Sequence, residues 1–475
     1  MNHIWLDVTT ILEWTRSAVG IIRVETECAA CALKSNKKIR FCRFEKSSRQ
    51  YHEVSRVEVL KALEQIQSGG AKQAVQTETS SIAATPTEGS KEQQLKSLLI
   101  RCVRHMPNSL REYTLHFFRL RKDGVYAVFK AFREMRYATK IFLKPKGGNK
   151  HMSASTPVKR AADHSAEINL FQQNDVYISL GLDWDQKDLE YLYAQKKSIG
   201  FKVLLFAYDT IPATLPHLCV NDVAAYFAKY FSNLSWCADR VLCISECTKK
   251  DLFKLLSKLG APIPDMKVVR LGCEVRPERG NSLPVAIDKL IEGKFILFVS
   301  TIERRKNHEI LYRAYTRLVD KGVSDIPKLV FVGMPGWGVD GLMSDLKLDS
   351  RIQPYVHILN NVSDDELYHL YKNSQFTVYP SLYEGWGLPV AESLVAGKFC
   401  LASNVASIPE VGGDLIEYLD PWNVSEWVDR LSYFFENPLA VKEKEERIRK
   451  EYQPTKWNDT ASYILSEAEQ LCESE

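Results

Sequence analysis

Two carboxylates, Glu384 and Glu392, flank the glycine turn Gly385-Trp386-Gly387. Ahead of the turn, Phe376 to Ser381 reads as a short buried strand of β-branched and aromatic residues. Behind it, Pro389 suits the first turn of a helix, where its missing N–H would have no partner. Gly397 falls where that helix should end, and Phe399 to Ala402 starts another strand. Such a strand–turn–helix unit aims the amides of Gly385, Trp386, Gly387 and Leu388, with the positive end of the helix, at a phosphate. Glu392 lies about one turn into the helix, roughly 6 Å along its axis. One ligand can meet both carboxylates and the helix end if it carries a diphosphate between two hydroxyl-bearing ends, as a nucleotide sugar does. The plainer reading is a loop whose glycines only make the turn and whose carboxylates are solvated.

A second group is cationic. Phe295 to Ser300 reads as a strand and Thr301-Ile302-Glu303-Arg304-Arg305-Lys306-Asn307 as the turn after it, with Asn307 capping a helix from His308 to Val319. Successive cations at a strand's carboxyl end are what a departing diphosphate needs, because its charge grows as the bond to it breaks. Arginine offers a planar fork and lysine a point charge; a solvated surface turn is the competing reading. Further strands run from Lys328 to Met334 and from Val356 to Leu359, the second followed by Asn360-Asn361-Val362 and a helix capped by Ser363. Loops after parallel strands converge on one sheet edge, where ligands bind, and a base belongs there beside Gly333 and Val362.

In the first half, His3 to Val8 reads as a strand. Gly20 lies in the turn before a helix from Ile22 to Leu33, where glycine permits a close backbone approach; Arg23 faces acceptor or solvent. Lys202 to Ala207 is a buried strand leading to Asp209, placed either to accept a proton from an acceptor hydroxyl or to cap a loop. Asp183-Trp184-Asp185 has a metal-binding spacing but better suits the cap of a helix starting near Gln186.

The run Pro380-Ser381-Leu382-Tyr383-Glu384-Gly385-Trp386-Gly387-Leu388-Pro389 resembles the donor-binding segment of the family-four (group 1) retaining glycosyltransferases, with their Glu-x7-Glu motif at Glu384 and Glu392. The likeness continues through Ser403-Asn404, Ser407-Ile408-Pro409-Glu410-Val411-Gly412-Gly413-Asp414 and Asp420-Pro421, covering nearly all of residues 295–425. It implies an α/β fold of GT-B type, two Rossmann-like domains facing each other across a cleft. Residues 1–290 would hold the acceptor, 291–455 the nucleotide sugar, and a terminal helix in 456–475 would cross back to the first domain. Glu384 would then bond a donor-sugar hydroxyl and Glu392 the ribose. Arg305, Lys306 and the Gly385 to Leu388 amides would hold the diphosphate, with Gly20 and Thr301 beside it and Asp209 on the acceptor side.

No metal or other cofactor is then expected, because the cations and the helix end already stabilise the leaving charge. The pattern around Thr301 to Asn307 and Met334 to Gly338 is similar to branches enriched in mannosyl- and rhamnosyltransferases. That implies GDP-mannose as donor, a glycan or polyprenyl-linked acceptor, and bacterial surface polysaccharide, O-antigen or capsule, as product. A nucleotide-sugar 2-epimerase of the same fold and a non-catalytic partner of a polysaccharide assembly complex are the alternatives.

Composition sets the outer bounds. The chain's 475 residues exceed one ordinary core, and 45% hydrophobic with 26% charged residues is a soluble globular balance. Eleven scattered cysteines, an odd number, suit free thiols in a reducing compartment. Cys28-Ala-Ala-Cys31 lacks the second pair a zinc site needs and reads as two small residues on one helix. Asp7 and Glu13 interrupt the N-terminal apolar stretch, and no apolar run reaches ~20 residues, so a cytoplasmic protein is expected.

Residues 66–95, rich in Ser, Thr, Gly, Gln and Ala, should form a mobile loop. Residues 96–160 carry sixteen Lys and Arg against three acids, +13 in a chain of net charge +4, which leaves −9 for the rest. Aromatics such as Phe117, Phe118, Phe129 and Phe132 interleave with those charges. The segment suits contact of 96–150 with an anionic membrane at the inner face. A helical insertion packed on its own domain is the bland alternative. Nucleic acid is not expected, since no binding motif accompanies the charge.

Overall fold

The computed structural model describes residues 2–15, 20–35, 39–68, 169–219, 223–274 and 283–473. The expected basic insertion at 96–160 lies outside the described residues. So does the expected loop at 66–95, except that the helix Arg56–Ser68 runs past its expected start.

The first sheet is built from β1 (Ile4–Asp7), β2 (Ile39–Glu45), β3 (Gln50–Val54), β4 (Val176–Ile178), β5 (Lys202–Ala207), β6 (Arg240–Cys243) and β7 (Asp265–Val268). Its order is β3-β2-β1-β4-β5-β6-β7, with every pairing parallel except the β2–β3 hairpin. The second sheet takes β8 (Phe295–Val299), β9 (Lys328–Val332), β10 (Val356–Leu359), β11 (Thr377–Tyr379), β12 (Cys400–Ser403) and β13 (Glu417–Leu419). It is parallel throughout, in the order β10-β9-β8-β11-β12-β13. Both are doubly wound sheets of Rossmann type.

Parallel strands covered by helices on both faces must be apolar on both faces, which is why they read as unbroken hydrophobic runs. Along β8, Ile296 and Phe298 join the core on one side of the sheet while Phe295 and Leu297 join the core on the other. The last helix, Trp457–Glu473, inserts Trp457, Ala461, Ile464, Leu465 and Ala468 into the core around β1 and β4. Gly272 makes room for it, because a Cβ there would run into the Trp457 indole.

In each sheet the strand order reverses at one point, and crevices form there. Between β1 and β4 the crevice is filled by charge. Lys187 Nζ lies 2.9 Å from Asp7 Oδ1 and 3.0 Å from Asp183 Oδ1, all buried. Glu25 is buried beside them, and burial pushes its carboxyl up to about 8. The Asp183-Trp184-Asp185 run therefore does not cap a helix as the sequence suggests. Asp183 lies inside a short helix, Asp183–Gln186, and accepts from Ser179 Oγ, while Asp188 caps the helix Leu189–Ile199. The Asp183 Oδ1 is taken instead by the Lys187 ammonium and the Ser179 hydroxyl.

Candidate functional site

In the second sheet the reversal falls between β8 and β11, which pair at Leu297 and Thr377. The turns that follow these strands open into one crevice. After β8 the chain makes the 3-10 turn Arg304–Lys306; after β11 it makes the glycine turn into the helix Leu388–Val395. The Leu382 amide donates to the Arg305 carbonyl at 2.8 Å and staples the two turns together.

Here Glu384 lies between two cations. Arg305 Nη1 is 2.7 Å from Glu384 Oε2, and Lys306 Nζ is 2.6 Å from Oε1. The Tyr379 hydroxyl donates to the same Oε1 at 3.1 Å and accepts from Lys306 at 3.0 Å. Arg305 also bonds the Tyr383 carbonyl and the Glu303 carboxylate, each at 2.8 Å. Burial alone would raise the Glu384 carboxyl, but the two cations outweigh it and hold it at about 2. Burial draws the Lys306 ammonium down, with Glu384 opposing. Arg304, beside them, is exposed.

The glycine turn is held by its carbonyls. Ser403 Oγ donates to the Ser381 carbonyl at 2.6 Å, and Ser407 Oγ to those of Glu384 and Trp386 at 2.9 and 2.8 Å. The Gly385 carbonyl accepts from Ser245 Oγ at 2.7 Å and Thr248 Oγ1 at 3.2 Å. Among the described residues, none accepts from the amides of Gly385, Trp386, Gly387 or Leu388. With the carbonyls drawn back and the amides left over, the turn has the chemistry of an anion cradle at a helix N-terminus. Gly387 holds φ at 120°, a value L side chains rarely adopt. A Cβ on Gly385 would strike the Tyr208 carbonyl oxygen.

The other residues picked out from the sequence lie on several elements. Glu392, one turn into the helix, accepts from the Tyr371 hydroxyl at 2.9 Å; burial raises its carboxyl, partly against the charge of Arg23. Asp209 caps the Ile211 amide at 2.9 Å and also feels the Arg305 charge, so its two readings are compatible. Gly333 ends β9 where a Cβ would strike the Ser300 carbonyl oxygen. Thr301 is exposed, and Val362 is half-buried on the Phe295 side of the sheet. Gly20 starts the helix Ile21–Lys34 at φ 53°, yet an added Cβ meets nothing within 4 Å. Its backbone angle is one that suits glycine.

Asn307 departs from expectation. It stands in the left-handed region at φ 59° and makes no side-chain cap. Its amide instead donates to the Pro380 carbonyl at 3.1 Å and the Pro421 carbonyl at 2.8 Å, tying the two turns to a third loop.

Sequence reasoning passed over the groups that hold the turn from the β6 side. Ser245 is the cap of the helix Glu246–Leu259, and the Glu410 carboxylate accepts from the Glu246 and Cys247 amides at 2.8 and 2.7 Å. The Tyr383 hydroxyl donates to Asp251 at 2.6 Å. A serine opening a helix is visible in sequence; its second partner on a distant turn is not.

Residues 286–453 match the family model described as Glycosyl transferases group 1. O-antigen chain mannosyltransferase B of Escherichia coli is similar to it at 30% identity over 46% of this chain and 57% of that one. The human GDP-Man:Man(3)GlcNAc(2)-PP-Dol alpha-1,2-mannosyltransferase is 26% identical over 38% of this chain and 36% of its own. The chain thus spans between about a third and three fifths of these relatives' length. Sucrose-phosphate synthase from Thermosynechococcus elongatus shares the GT-B fold over 100% of both chains, with a TM-score of 0.56 at 13% identity. Among the described residues no helix is long and apolar enough to cross a membrane. No cluster of three or more His, Cys, Asp or Glu among them is placed to hold a metal ion.

Proposed function

We propose that the protein is a retaining glycosyltransferase that moves mannose from GDP-mannose to a glycan or polyprenyl-linked acceptor in bacterial surface polysaccharide synthesis. One observation carries the reading: among the described residues, the four amides from Gly385 to Leu388 have no acceptors, next to Arg305 and Lys306. Free amides, a helix N-terminus and two cations are a diphosphate's complement. The names of the mannosyltransferase relatives support the sugar, and the GDP in one of them supports the base.

In this reading the diphosphate lies on the cradle, Glu384 bonds a sugar hydroxyl and Glu392 the ribose. The bond between the anomeric carbon and the diphosphate oxygen breaks while that carbon bonds the acceptor oxygen on the same face. The acceptor proton passes to the departing diphosphate. Arg305, Lys306 and the helix end stabilise the growing charge, which is why no metal is invoked. The acceptor side includes Asp209, and residues 96–150 meet the membrane surface on the cytoplasmic side.

Incubating the protein with GDP-mannose and lipid-linked acceptor should give an α-linked product and GDP. Formation of an epimerised nucleotide sugar from donor alone would favour the 2-epimerase reading instead.

A further inference from the structure

Arg23 lies on the first turn of the helix Ile21–Lys34, beside the first sheet, yet its partner belongs to the second. Its Nη2 is 3.1 Å from Asp364 Oδ2, at the start of the helix Asp364–Asn373 that follows β10, and 3.4 Å from the Glu274 carbonyl. The Arg23 side chain is 13% exposed and the Asp364 side chain 45%. The Arg23 charge also opposes the burial that raises the Glu392 carboxyl, which accepts from the Tyr371 hydroxyl at 2.9 Å. One arginine of the first domain thus pairs with Asp364 of the second and acts through its charge on Glu392. Asp364 follows the strand end after β10 and Val362, where the nucleoside end of the donor would lie.

Resting on the donor site proposed above, we propose that Arg23 is a positioning residue for the nucleoside end of the donor. By holding Asp364 and the Glu274 carbonyl, it draws the β10 side of the second domain against the first. The ribose is then enclosed and Glu392 stays oriented toward it. The role needs a cation of the right reach rather than a hydrophobic spacer. Lysine should therefore serve in part, and alanine not at all.

The test is a titration of GDP-mannose into the parent, Arg23→Ala, Arg23→Lys and Asp364→Asn proteins, with steady-state transfer measured alongside. Arg23→Ala should raise the donor KM and Kd about tenfold, the size of a modest coupling, while kcat changes by less than about threefold. Arg23→Lys should recover part of the loss, and Asp364→Asn should show a smaller weakening. Unchanged donor affinity in Arg23→Ala, or equal loss in the lysine variant, overturns the proposal.

A double-mutant cycle of Arg23→Ala and Asp364→Asn, read by thermal melting, needs no nucleotide. Non-additive melting shifts support the pairing, and strictly additive shifts overturn it. Should the parent bind no nucleotide sugar, the glycosyltransferase reading falls, and the cycle still decides whether Arg23 joins the two domains.

Discussion

The Lys306 ammonium rests 2.6 Å from the Glu384 carboxylate, so the cations of this site already hold a counter-ion of their own. On the proposed reading, a diphosphate entering the crevice competes with that carboxylate for Arg305 and Lys306. Donor binding and the release of Glu384 toward a sugar hydroxyl then become one event.

Removing the negative charge should separate binding from turnover. In Glu384→Gln the two cations lose their competitor, so GDP should bind at least as tightly as to the parent. Transfer should fall on the order of 100-fold, the usual cost of losing one aligned polar group in a transition state. Calorimetry with GDP and a rate assay on the same preparations decide it. A parallel loss of GDP affinity would mean that Glu384 only holds the turn in shape.

Two carboxyls should pull stability in opposite directions with pH. Glu384 is held at about 2 against an ordinary 4.5, so its contribution is full above about 4.5 and is lost as pH falls toward 2. Glu25 is pushed up to about 8 from 4.5, so its contribution is full below about 4.5 and is lost as pH rises through 8. A tenfold change in a carboxyl's acid dissociation constant on folding is worth at most about 1.4 kcal/mol. Glu25→Gln should therefore gain melting temperature relative to the parent between pH 5 and pH 8.5, and Glu384→Gln should flatten the acid limb. Melting curves that run parallel to the parent's across pH would contradict both assignments.

Gly385 is where the donor turn meets the loop after β5. Gly385→Ala puts a methyl group against the Tyr208 carbonyl oxygen, a backbone atom that cannot turn aside. Overpacking of this kind costs about 1–3 kcal/mol, and the displaced turn should lose most transfer. Alanine accepted with parental melting temperature and parental rate would show that the two loops are not in contact.

Much of this architecture was legible because parallel strands write themselves as apolar runs and their turns as glycine, proline and charge. The run Phe295 to Val299, the turn at Arg304 to Lys306 and the glycine turn before Pro389 could each be placed locally. Their adjacency follows from the strand order implied by the family resemblance. Other features depended on partners far apart in the chain. Asp7, Glu25, Asp183 and Lys187 form one buried group from three separate segments, and no spacing announces it. Asn307 looked like a helix cap because asparagine usually is one, but the left-handed turn sends its amide to Pro380 and Pro421. The antiparallel hairpin β2–β3 and the Glu410 contact with the helix at Glu246 likewise exist only once the tertiary structure forms.

The most direct measurement is a calorimetric titration of GDP into the parent and Lys306→Ala proteins. Tight binding by the parent and a loss of tenfold or more in the variant is the predicted result, since the diphosphate gives up a charge-assisted bond worth about 1.5–3 kcal/mol. Equal affinity in the two proteins, or no heat with either, would contradict a diphosphate held between the Arg305–Lys306 turn and the Gly385 to Leu388 amides.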